Sequence, residues 1–490
     1  MGAWLDRRTG CRLGTASRRN SLVLYGFLIG RQGVEKDSVT HQQASAAEPI
    51  IIDRSEHLIS RENISDNALK VLYRLRNGGY QAHLVGGGVR DLSLGRIPKD
   101  FDVATDATPE EVDDLFRNCR LIGRRFRLAH VHFGPEVIEV ATFRALHGRE
   151  PEADDDGDRI VEDGRILRDN VFGTLEEDAL RRDFTINALY YNIADFSVVD
   201  YTGGMADLED GLVRLIGDPE TRYREDPVRM LRAVRFAVKL GFRIEQHTGD
   251  CIPRLASLLE AIPTARLFDE ALKLFLTGQG VETLAMLRRY DLLRYLFPQT
   301  DALINHDRHG VALAFIDRAL ENTDRRIAND KPITPAFLFG AMLWPVVKAR
   351  SRAYEAEDAS PAQAIQEAMS DVVERQLRTL TIPKRFGVPM REIWSIQARL
   401  ERYRGKRALR LLGHPRFRAA YDFYCLRADA GDADPEVARF WTALQEAPED
   451  ERPALAGVKN AGGRSRGSGK AADTEAATSV PADSGQESQE

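Results

Sequence analysis

Two aspartates, Asp100 and Asp102, stand one residue apart beside a short apolar run that continues with Val103. Side chains alternate along a β-strand, so both carboxylates project to the same side, where they repel each other and gain nothing from packing. A divalent cation reverses that repulsion, because Mg²⁺ prefers carboxylate oxygens and also binds waters and substrate phosphates. The pair therefore predicts a magnesium site on a strand, with Mn²⁺ as a second candidate ion.

The sequence around this pair alternates between helix and strand. Ser65 is expected to cap a helix that ends at Gly78, and the strand "QAHLV" follows it. Residues 108–111, "TPEE", form a capping box with proline at the first helical position, so we expect the aspartate pair to end a strand just before a helix. This alternation predicts an α+β head.

Three successive glycines, Gly86 to Gly88, follow the first of these strands. Glycines allow a tight turn whose N–H groups face a phosphate, and Arg90 adds a positive charge at the start of the next helix. The alternative is a tight strand-to-helix turn in which Arg90 forms an ion pair with Asp91, and turn chemistry alone favours neither reading.

Residues 131–144 contain a candidate for a third acidic metal ligand. β-branched residues on both sides of a Gly-Pro pair predict a β-hairpin or paired strands. Alternation then places Glu139 on the strand face opposite its apolar neighbours. Glu139 is our candidate for the third carboxylate, while a structural ion pair with Arg144 or another arginine is the alternative.

The chain changes character at about residue 226, beyond which the pattern is helical with few strand signals. An acidic, glycine-containing stretch at 149–165 predicts a loop, and the apolar stretch at 21–30 is too short to span a bilayer. We predict a disordered leader at 1–55, an α+β head at 56–204, a helical neck at 205–270, a helical body at 271–445 and a disordered tail at 446–490.

Composition excludes some classes of protein. A formal net charge of -6 excludes a uniformly basic nucleic-acid binder, so any site for a polyanion must be local. The 4 cysteines show neither metal-ligand spacing nor the density of a disulfide scaffold, which favours a reducing compartment. We therefore expect a cytoplasmic protein without a transmembrane segment.

The stretch "LVGGGVRDLSLGRIPKDFDV" at 84–103 resembles the signature of the nucleotidyltransferase superfamily that includes DNA polymerase beta. The branch that it resembles is class II, which contains bacterial poly(A) polymerases and tRNA CCA-adding enzymes. The resemblance continues through "RRDFTINALYYN" at 181–192 and "EDPVRMLRAVRFAVKLGF" at 225–242, and "LIGRRFRLAHV" at 121–131 is similar to a segment of the polyadenylating members. It implies a polymerase beta-like palm as the head, followed by all-α neck and body domains.

The resemblance also implies roles for individual residues. Asp100 and Asp102 match the catalytic, metal-binding pair, and Asp183 matches a further acidic residue that acts in catalysis or holds the ribose. Whether Glu139 or Asp183 is the third catalytic carboxylate stays open. The residues that we expect to bind the nucleotide are Gly86, Gly87, Arg90, Asp91, Arg144, Arg182, Asp226, Arg229 and Arg232.

Within this set, the residues that match Asp226 and Arg229 recognise the base of the incoming nucleotide in the family, by hydrogen bonds to its edge instead of a template. The segment alone predicts an amphipathic helix that is capped by Asp226 and ends before Gly241. Without the resemblance, its arginines would be interpreted as a solvated face.

A chain that elongates RNA must also bind it, and its basic residues fall into two runs, one at 120–127 and one at 399–418. The second run, within 399–418, is interleaved with Tyr403 and Phe417, which is typical of a groove that follows a nucleic-acid backbone and stacks bases. A solvated helix face is the alternative. Residues 452–490 carry only scattered positive charge, so we expect the arginine-rich C-terminal extension of many such polymerases to be absent. The residues that we expect to bind RNA are Arg124, Arg125, Arg127, Arg402, Arg404, Lys406 and Arg407.

The activity that the resemblance implies is template-independent transfer of AMP from ATP to the 3′-hydroxyl of RNA, with release of pyrophosphate, in mRNA processing and RNA decay. The expected partners are RNA 3′ ends, ATP and the RNA-decay machinery, and we expect a monomer. One alternative is a tRNA CCA-adding nucleotidyltransferase. The other is a non-catalytic RNA-binding protein on the same fold.

Overall fold

A computed structural model describes residues 48–123, 127–146, 159–162, 165–169, 171–402 and 404–458. Ten strands belong to the head in the described part of the chain. They are β1 (Ile50–Ile52), β2 (Ala82–Val85), β3 (Asp102–Thr105), β4 (Cys119–Ile122), β5 (Leu128–Phe133), β6 (Glu136–Thr142), β7 (Arg159–Glu162), β8 (Arg165–Asp169), β9 (Leu189–Asn192) and β10 (Val198–Asp200).

Eight of these strands form one mixed sheet in the order β1-β10-β9-β2-β3-β6-β5-β4. Neighbouring strands are antiparallel except for β3 and β6, which run parallel. The central strand β2 is buried along its whole length, and its His83 packs between the rings of Phe143 and Tyr190 at 5.9 and 6.1 Å. The expected α+β head is confirmed.

Five helices accompany this sheet, and their ends follow local sequence signals. The Ser65 hydroxyl accepts a hydrogen bond from the N–H of Ala68, and Gly78 is the C-terminal cap, as predicted. Thr108 and Glu111 form the predicted capping box. The helices are α1 (Asp66–Asn77), α2 (Gly87–Ser93), α3 (Pro109–Leu115), α4 (Leu175–Arg181) and α5 (Gly204–Asp210).

Three expectations about the head need correction. The aspartate pair does not end a strand and does not lie on one strand, because β3 starts at Asp102 and Asp100 lies two residues before it. The chain leaves β3 three residues before the capping box of α3. Strand β1 lies inside the predicted leader, since it pairs with β10 and extends the sheet. Part of the predicted acidic loop at 149–165 is the strand β7, which pairs with β8.

The neck combines a short two-stranded parallel sheet, β11 (Leu212–Val213) and β12 (Arg243–Ile244), with four helices. The predicted helix is present from Val228, and Gly241 ends it with φ of 75°, a left-handed value that glycine tolerates. The expectation that Asp226 is its N-terminal cap is wrong, because Pro227 occupies that position and Asp226 ends the preceding helix. The neck helices are α6 (Pro219–Glu225), α7 (Val228–Leu240), α8 (Gln246–Leu255) and α9 (Thr264–Phe275).

The body is helical throughout its described residues, and large aromatic side chains fill its core. Trp394 donates its indole N–H to the carbonyl of Gly340 at 3.1 Å, and Trp441 donates to the carbonyl of Leu400 at 2.9 Å, so both buried indoles are satisfied. The helices are α10 (Gly280–Arg289), α11 (Pro298–His306), α12 (Val311–Ala328), α13 (Pro335–Ala356), α14 (Pro361–Thr379), α15 (Lys384–Leu400), α16 (Lys406–Leu412), α17 (Phe417–Asp429), α18 (Pro435–Glu446) and α19 (Arg452–Leu455).

The last described segment is ordered against the body, although it falls in the predicted tail. The N–H of Gly405 donates to the carbonyl of Ala456, which follows α19. The remainder of that tail and residues 1–47 of the leader lie outside the described residues. Over the described ranges, we find no helix with the length and apolar character needed to cross a membrane.

Candidate active site

The parallel pairing of β3 with β6 brings two predicted carboxylates together. Asp102 is directly opposite Glu139 in the register of these strands. Both side chains line a cleft of about 360 Å³ between the head and the neck. The residues around this cleft are Val85, Asp102, Val103, Leu128, Glu139, Ala141, Arg144, Asp178, Arg181, Arg182, Glu225, Asp226, Arg229 and Arg266.

Asp102 is held in an unfavourable electrostatic environment. Burial raises the pKa of its carboxyl to about 6, the nearby charges of Glu139 and Asp100 add to this rise, and Arg182 partly opposes it. A carboxylate that is desolvated and surrounded by like charge gains free energy when a cation binds. The donor set of this site therefore fits a hard divalent cation.

Asp100 lies two residues before β3, where its side chain is exposed. It is close enough to Asp102 to raise the pKa of that residue, but it does not line the cleft. In the part of the chain with described coordinates, no three acidic, histidine or cysteine side chains already form a metal-binding cluster. Metal binding at Asp100, Asp102 and Glu139 therefore stays a prediction, and it requires side-chain rearrangement.

The glycine turn reaches the same place from β2. Gly86 has φ of 71° and ψ of -132°, a conformation that residues with a Cβ rarely adopt. A Cβ on Gly86 would lie 3.8 Å from Nη1 of Arg182 and 3.9 Å from Oδ2 of Asp102. The turn, the arginine and the aspartate therefore converge at one end of the cleft, and Gly87 begins α2 beside them.

Arg90 does not line the cleft. Its side chain is buried and donates from Nε to Asp91 and from Nη1 to the side-chain oxygen of Asn187, both at 2.8 Å. The ion pair with Asp91, which we gave as the alternative for this turn, is thus present. A role for Arg90 and Asp91 in nucleotide binding stays a prediction, and their contacts favour a structural role.

Asp183 and Arg232 form a partly buried ion pair between head and neck. Nε of Arg232 donates to Oδ2 of Asp183 at 2.7 Å, while Asn187 and the N–H of Phe184 donate to Oδ1. Burial alone would raise the pKa of Asp183, but Arg232 and these hydrogen bonds hold it below its usual value. Neither Asp183 nor Arg232 lines the cleft, so the geometry favours Glu139 over Asp183 as the third carboxylate.

The predicted base-recognition residues lie across the cleft from Asp102. Arg266 of α9 donates to Oδ2 of Asp226 at 2.6 Å, and Arg229 donates to Glu225 at 2.8 Å and to the carbonyl of Arg222 at 2.6 Å. These bonds fix the carboxylate of Asp226 and the guanidinium of Arg229 on one wall. Hydrogen-bonding groups of both signs therefore face the space where a base would bind.

The predicted RNA-binding residues are only partly described. Arg124 and Arg125, together with Tyr403, lie outside the described residues, and Arg127 forms an ion pair with Glu110 on α3. Arg402, Arg404, Lys406 and Arg407 are exposed around the start of α16, on the body. Their role in RNA binding stays a prediction.

Sequence reasoning missed four charged groups that line the cleft: Asp178, Arg181, Glu225 and Arg266. Arg181 stands directly before Arg182 in the sequence. Glu225 stands beside Asp226 in the sequence, which was an available signal. Arg266 lies in another helix, 40 residues away from its partner Asp226, and Asp178 lies within a run of helix-forming residues, so neither carried a local signal.

Three family models match this chain. The Poly A polymerase head domain matches residues 82–214, the probable RNA and SrmB-binding site of polymerase A matches 241–304, and the polymerase A arginine-rich C-terminus matches 357–472. The last match contradicts the expectation that this C-terminal region is absent. It starts well upstream of residue 452 and includes α14 to α19 of the body.

Known proteins resemble between half and most of this chain. Poly(A) polymerase I of Escherichia coli O157:H7 is 52% identical over 425 residues, which cover 86% of this chain and 91% of that protein. A CCA-adding enzyme of Bacillus subtilis is 37% identical over 247 residues, 50% of this chain and 59% of that enzyme. A solved CCA-adding enzyme in complex with CTP has the same fold, with a TM-score of 0.55 and 19% identity over 82% of this chain and 88% of that one.

Proposed function

Because this chain belongs to the poly(A) polymerase family of class II nucleotidyltransferases, we propose that it elongates RNA 3′ ends without a template. The reaction transfers AMP from ATP to the terminal 3′-hydroxyl and releases pyrophosphate. The observation that carries the proposal is the cleft in which Asp102 and Glu139 face Asp226 and Arg229. One wall supplies carboxylates for phosphoryl-transfer chemistry and the other supplies fixed hydrogen-bonding groups for a base.

The residues that the head contributes to the cleft bind the metal ion and the phosphates of the nucleotide. Asp100, Asp102 and Glu139 would hold Mg²⁺, and the bound ion would polarise the attacking hydroxyl and neutralise charge on the leaving pyrophosphate. The N–H groups of the turn at Gly86 and Gly87, with Arg182 beside the turn and Arg144 in the lining of the same cleft, are suited to the triphosphate, because they supply partial and full positive charges there.

The residues that the neck contributes to the cleft select the nucleotide by its base. Asp226 accepts hydrogen bonds and Arg229 donates them, so together they can pair with the edge of a purine or pyrimidine as a template base would. Their positions are fixed by Arg266 and Glu225. A rigid pair favours one base, because a base with a different pattern of donors and acceptors leaves buried polar groups unpaired.

Product analysis tests this function. The purified protein is incubated with generic RNA, and with tRNA that lacks its 3′ end, in the presence of ATP, CTP or both. We expect long adenosine tracts on generic RNA from ATP alone. Addition that stops after three nucleotides on tRNA would identify the CCA-adding alternative, and no incorporation with Mg²⁺ or Mn²⁺ would identify the non-catalytic one.

Variants separate chemistry from RNA binding. Asp100→Ala and Asp102→Ala should each abolish incorporation while leaving RNA affinity within about twofold, because neither residue lies on the predicted RNA surface of the body. Asp114→Ala is the matched control, since Asp114 is an exposed aspartate of the neighbouring helix α3. An Asp102→Ala variant that extends RNA at the rate of the parent protein would contradict the proposed metal-assisted mechanism.

RNA is proposed to lie along the exposed basic residues near α16, with its 3′ end directed to the cleft. Binding there should weaken with added salt, since phosphate contacts release counterions. We further propose that the enzyme acts as a cytoplasmic monomer in mRNA processing and RNA decay, in contact with the RNA-decay machinery.

A further inference from the structure

One edge of the Arg182 guanidinium is held by two buried residues of the head. Nε of Arg182 donates to the hydroxyl of Tyr190 at 2.8 Å and to Oδ2 of Asp178 at 3.1 Å, and Nη2 donates to the same Oδ2 at 2.8 Å. The Tyr190 hydroxyl also donates to Oδ2 of Asp178, at 2.6 Å. The three side chains form a closed set of hydrogen bonds.

Burial makes this arrangement rigid. Asp178 is 6% exposed and Tyr190 is fully buried. Burial alone would raise the pKa of Asp178, but Arg182 and the Tyr190 hydroxyl hold it below its usual value. Any other orientation of Arg182 would leave a buried carboxylate short of a partner, which is unfavourable.

The opposite edge of Arg182 is open toward the reaction centre. Among the described residues, Nη1 donates no hydrogen bond, and this atom lies beside the turn at Gly86 and the carboxylate of Asp102. Asp178 also accepts, through Oδ1, a hydrogen bond from the backbone N–H of Arg144 at 3.3 Å. One buried carboxylate therefore holds the side chain of Arg182 and the backbone of Arg144.

We propose that Asp178 and Tyr190 are positioning residues that hold Nη1 of Arg182 for the phosphates of the incoming nucleotide. This inference rests on the proposed function of the cleft. An arginine that is fixed before the substrate arrives loses less conformational freedom on binding than a mobile one. The hydrogen bonds from Nη1 are then available both to the bound triphosphate and to the departing pyrophosphate.

Two neighbouring tyrosines provide a matched test. Tyr190→Phe removes the hydroxyl that bonds Asp178 and Arg182. Tyr191→Phe is the control, because Tyr191 is equally buried but its hydroxyl has no hydrogen-bond partner among the described residues. We expect Tyr190→Phe to lower kcat/KM for ATP about tenfold, through a higher KM, and Tyr191→Phe to change it less than about twofold. Equal values for the two variants would overturn the inference.

A double-mutant cycle with Arg182→Met separates positioning from a general loss of structure. If Tyr190 acts through Arg182, the second substitution adds nothing in the Arg182→Met background. An effect of the same size in both backgrounds would refute the proposal. Asp178→Asn tests the same connection from its other end. It should likewise not change kcat/KM for ATP once Arg182 is replaced.

Calorimetric binding of the non-reactive analogue AMPCPP gives a readout independent of turnover. Tyr190→Phe should weaken this binding about tenfold and Tyr191→Phe should not. If the parent protein incorporated no AMP, the proposed function would fail, while the binding cycle would still decide whether Tyr190 and Asp178 act through Arg182.

Discussion

Replacing Asp102 by asparagine should stabilise the metal-free protein while it abolishes activity. The pKa of Asp102 is raised from 3.8 to about 6, chiefly by burial and then by Glu139. A carboxyl whose pKa is higher in the folded state contributes stability that is fully present below pH 3.8 and is lost as pH rises through 6. At neutral pH, the ionised carboxylate therefore destabilises the folded head.

The size of this effect follows from the two pKa values. A rise from 3.8 to about 6 corresponds to about 3 kcal/mol at pH 7. Asparagine retains the shape of the side chain without its charge, so Asp102→Asn should recover most of that free energy. The gain should fall to about half near pH 5 and nearly vanish at pH 4, because the parent carboxyl is then protonated.

Hydrogen exchange is the suitable assay. Trp344, Trp394 and Trp441 lie in the body and the fourth tryptophan, Trp4, lies outside the described residues, so the described head contains no tryptophan whose fluorescence would report on it. Exchange of amides in β2 and β3, followed by mass spectrometry in EDTA, gives the local opening free energy at each pH.

The matched control is Asp114→Asn, an exposed site that should change the opening free energy by less than about 0.5 kcal/mol. Saturating Mg²⁺ should stabilise the parent and not Asp102→Asn, which reverses their order. If Asp102→Asn were no more stable than the parent at pH 7 in EDTA, the ionised carboxylate would not destabilise the folded head. The reasoning for a cation site would then be wrong.

Three other perturbations test separate parts of the structure. Burial lowers the pKa of His83 to about 4, so the folded head excludes its proton, and the contribution of His83 to stability should fall by about 2 kcal/mol between pH 7 and 5, opposite in sign to that of Asp102; His83→Leu should remove this contribution in the same exchange assay. Arg266→Met frees the carboxylate of Asp226 and should reduce the ratio of kcat/KM for ATP over CTP about tenfold, whereas an unchanged ratio would show that Arg266 does not fix the base-recognition wall. Glu139→Gln should raise the Mg²⁺ concentration for half-maximal activity about tenfold, and an unchanged requirement would leave Asp102 without its third carboxylate partner.

Local signals predicted much of the head correctly. Capping residues such as Ser65 and Thr108 specify helix starts, because their side chains accept hydrogen bonds from N–H groups three residues later. The alternation of side chains along a strand predicted the face on which Glu139 lies, and Glu139 is paired with Asp102 in the sheet. We predicted a strand that ends at the aspartate pair, whereas β3 begins at Asp102. An apolar run does not show which of its residues form hydrogen bonds with a neighbouring strand. Long-range contacts such as Asp226 with Arg266 depend on how helices pack, and no short stretch of sequence contains that information.

Arg90 shows a second limit. A basic residue after a glycine turn has the same sequence signature whether it binds phosphate or anchors the turn to the rest of the protein, and only its burial against Asn187 distinguishes the two. The resemblance to the family indicated which residues matter, but it did not indicate that Asp183 and Arg232 contact each other instead of the cleft.

The two walls of the cleft belong to separate elements of the chain, β3 and β6 on one side and the α6–α7 junction on the other. A substitution in the α6–α7 junction can therefore change the base that is bound while the carboxylates of β3 and β6 stay in place. On the proposed function, monomer preference and bond-forming chemistry are encoded by different segments of the chain.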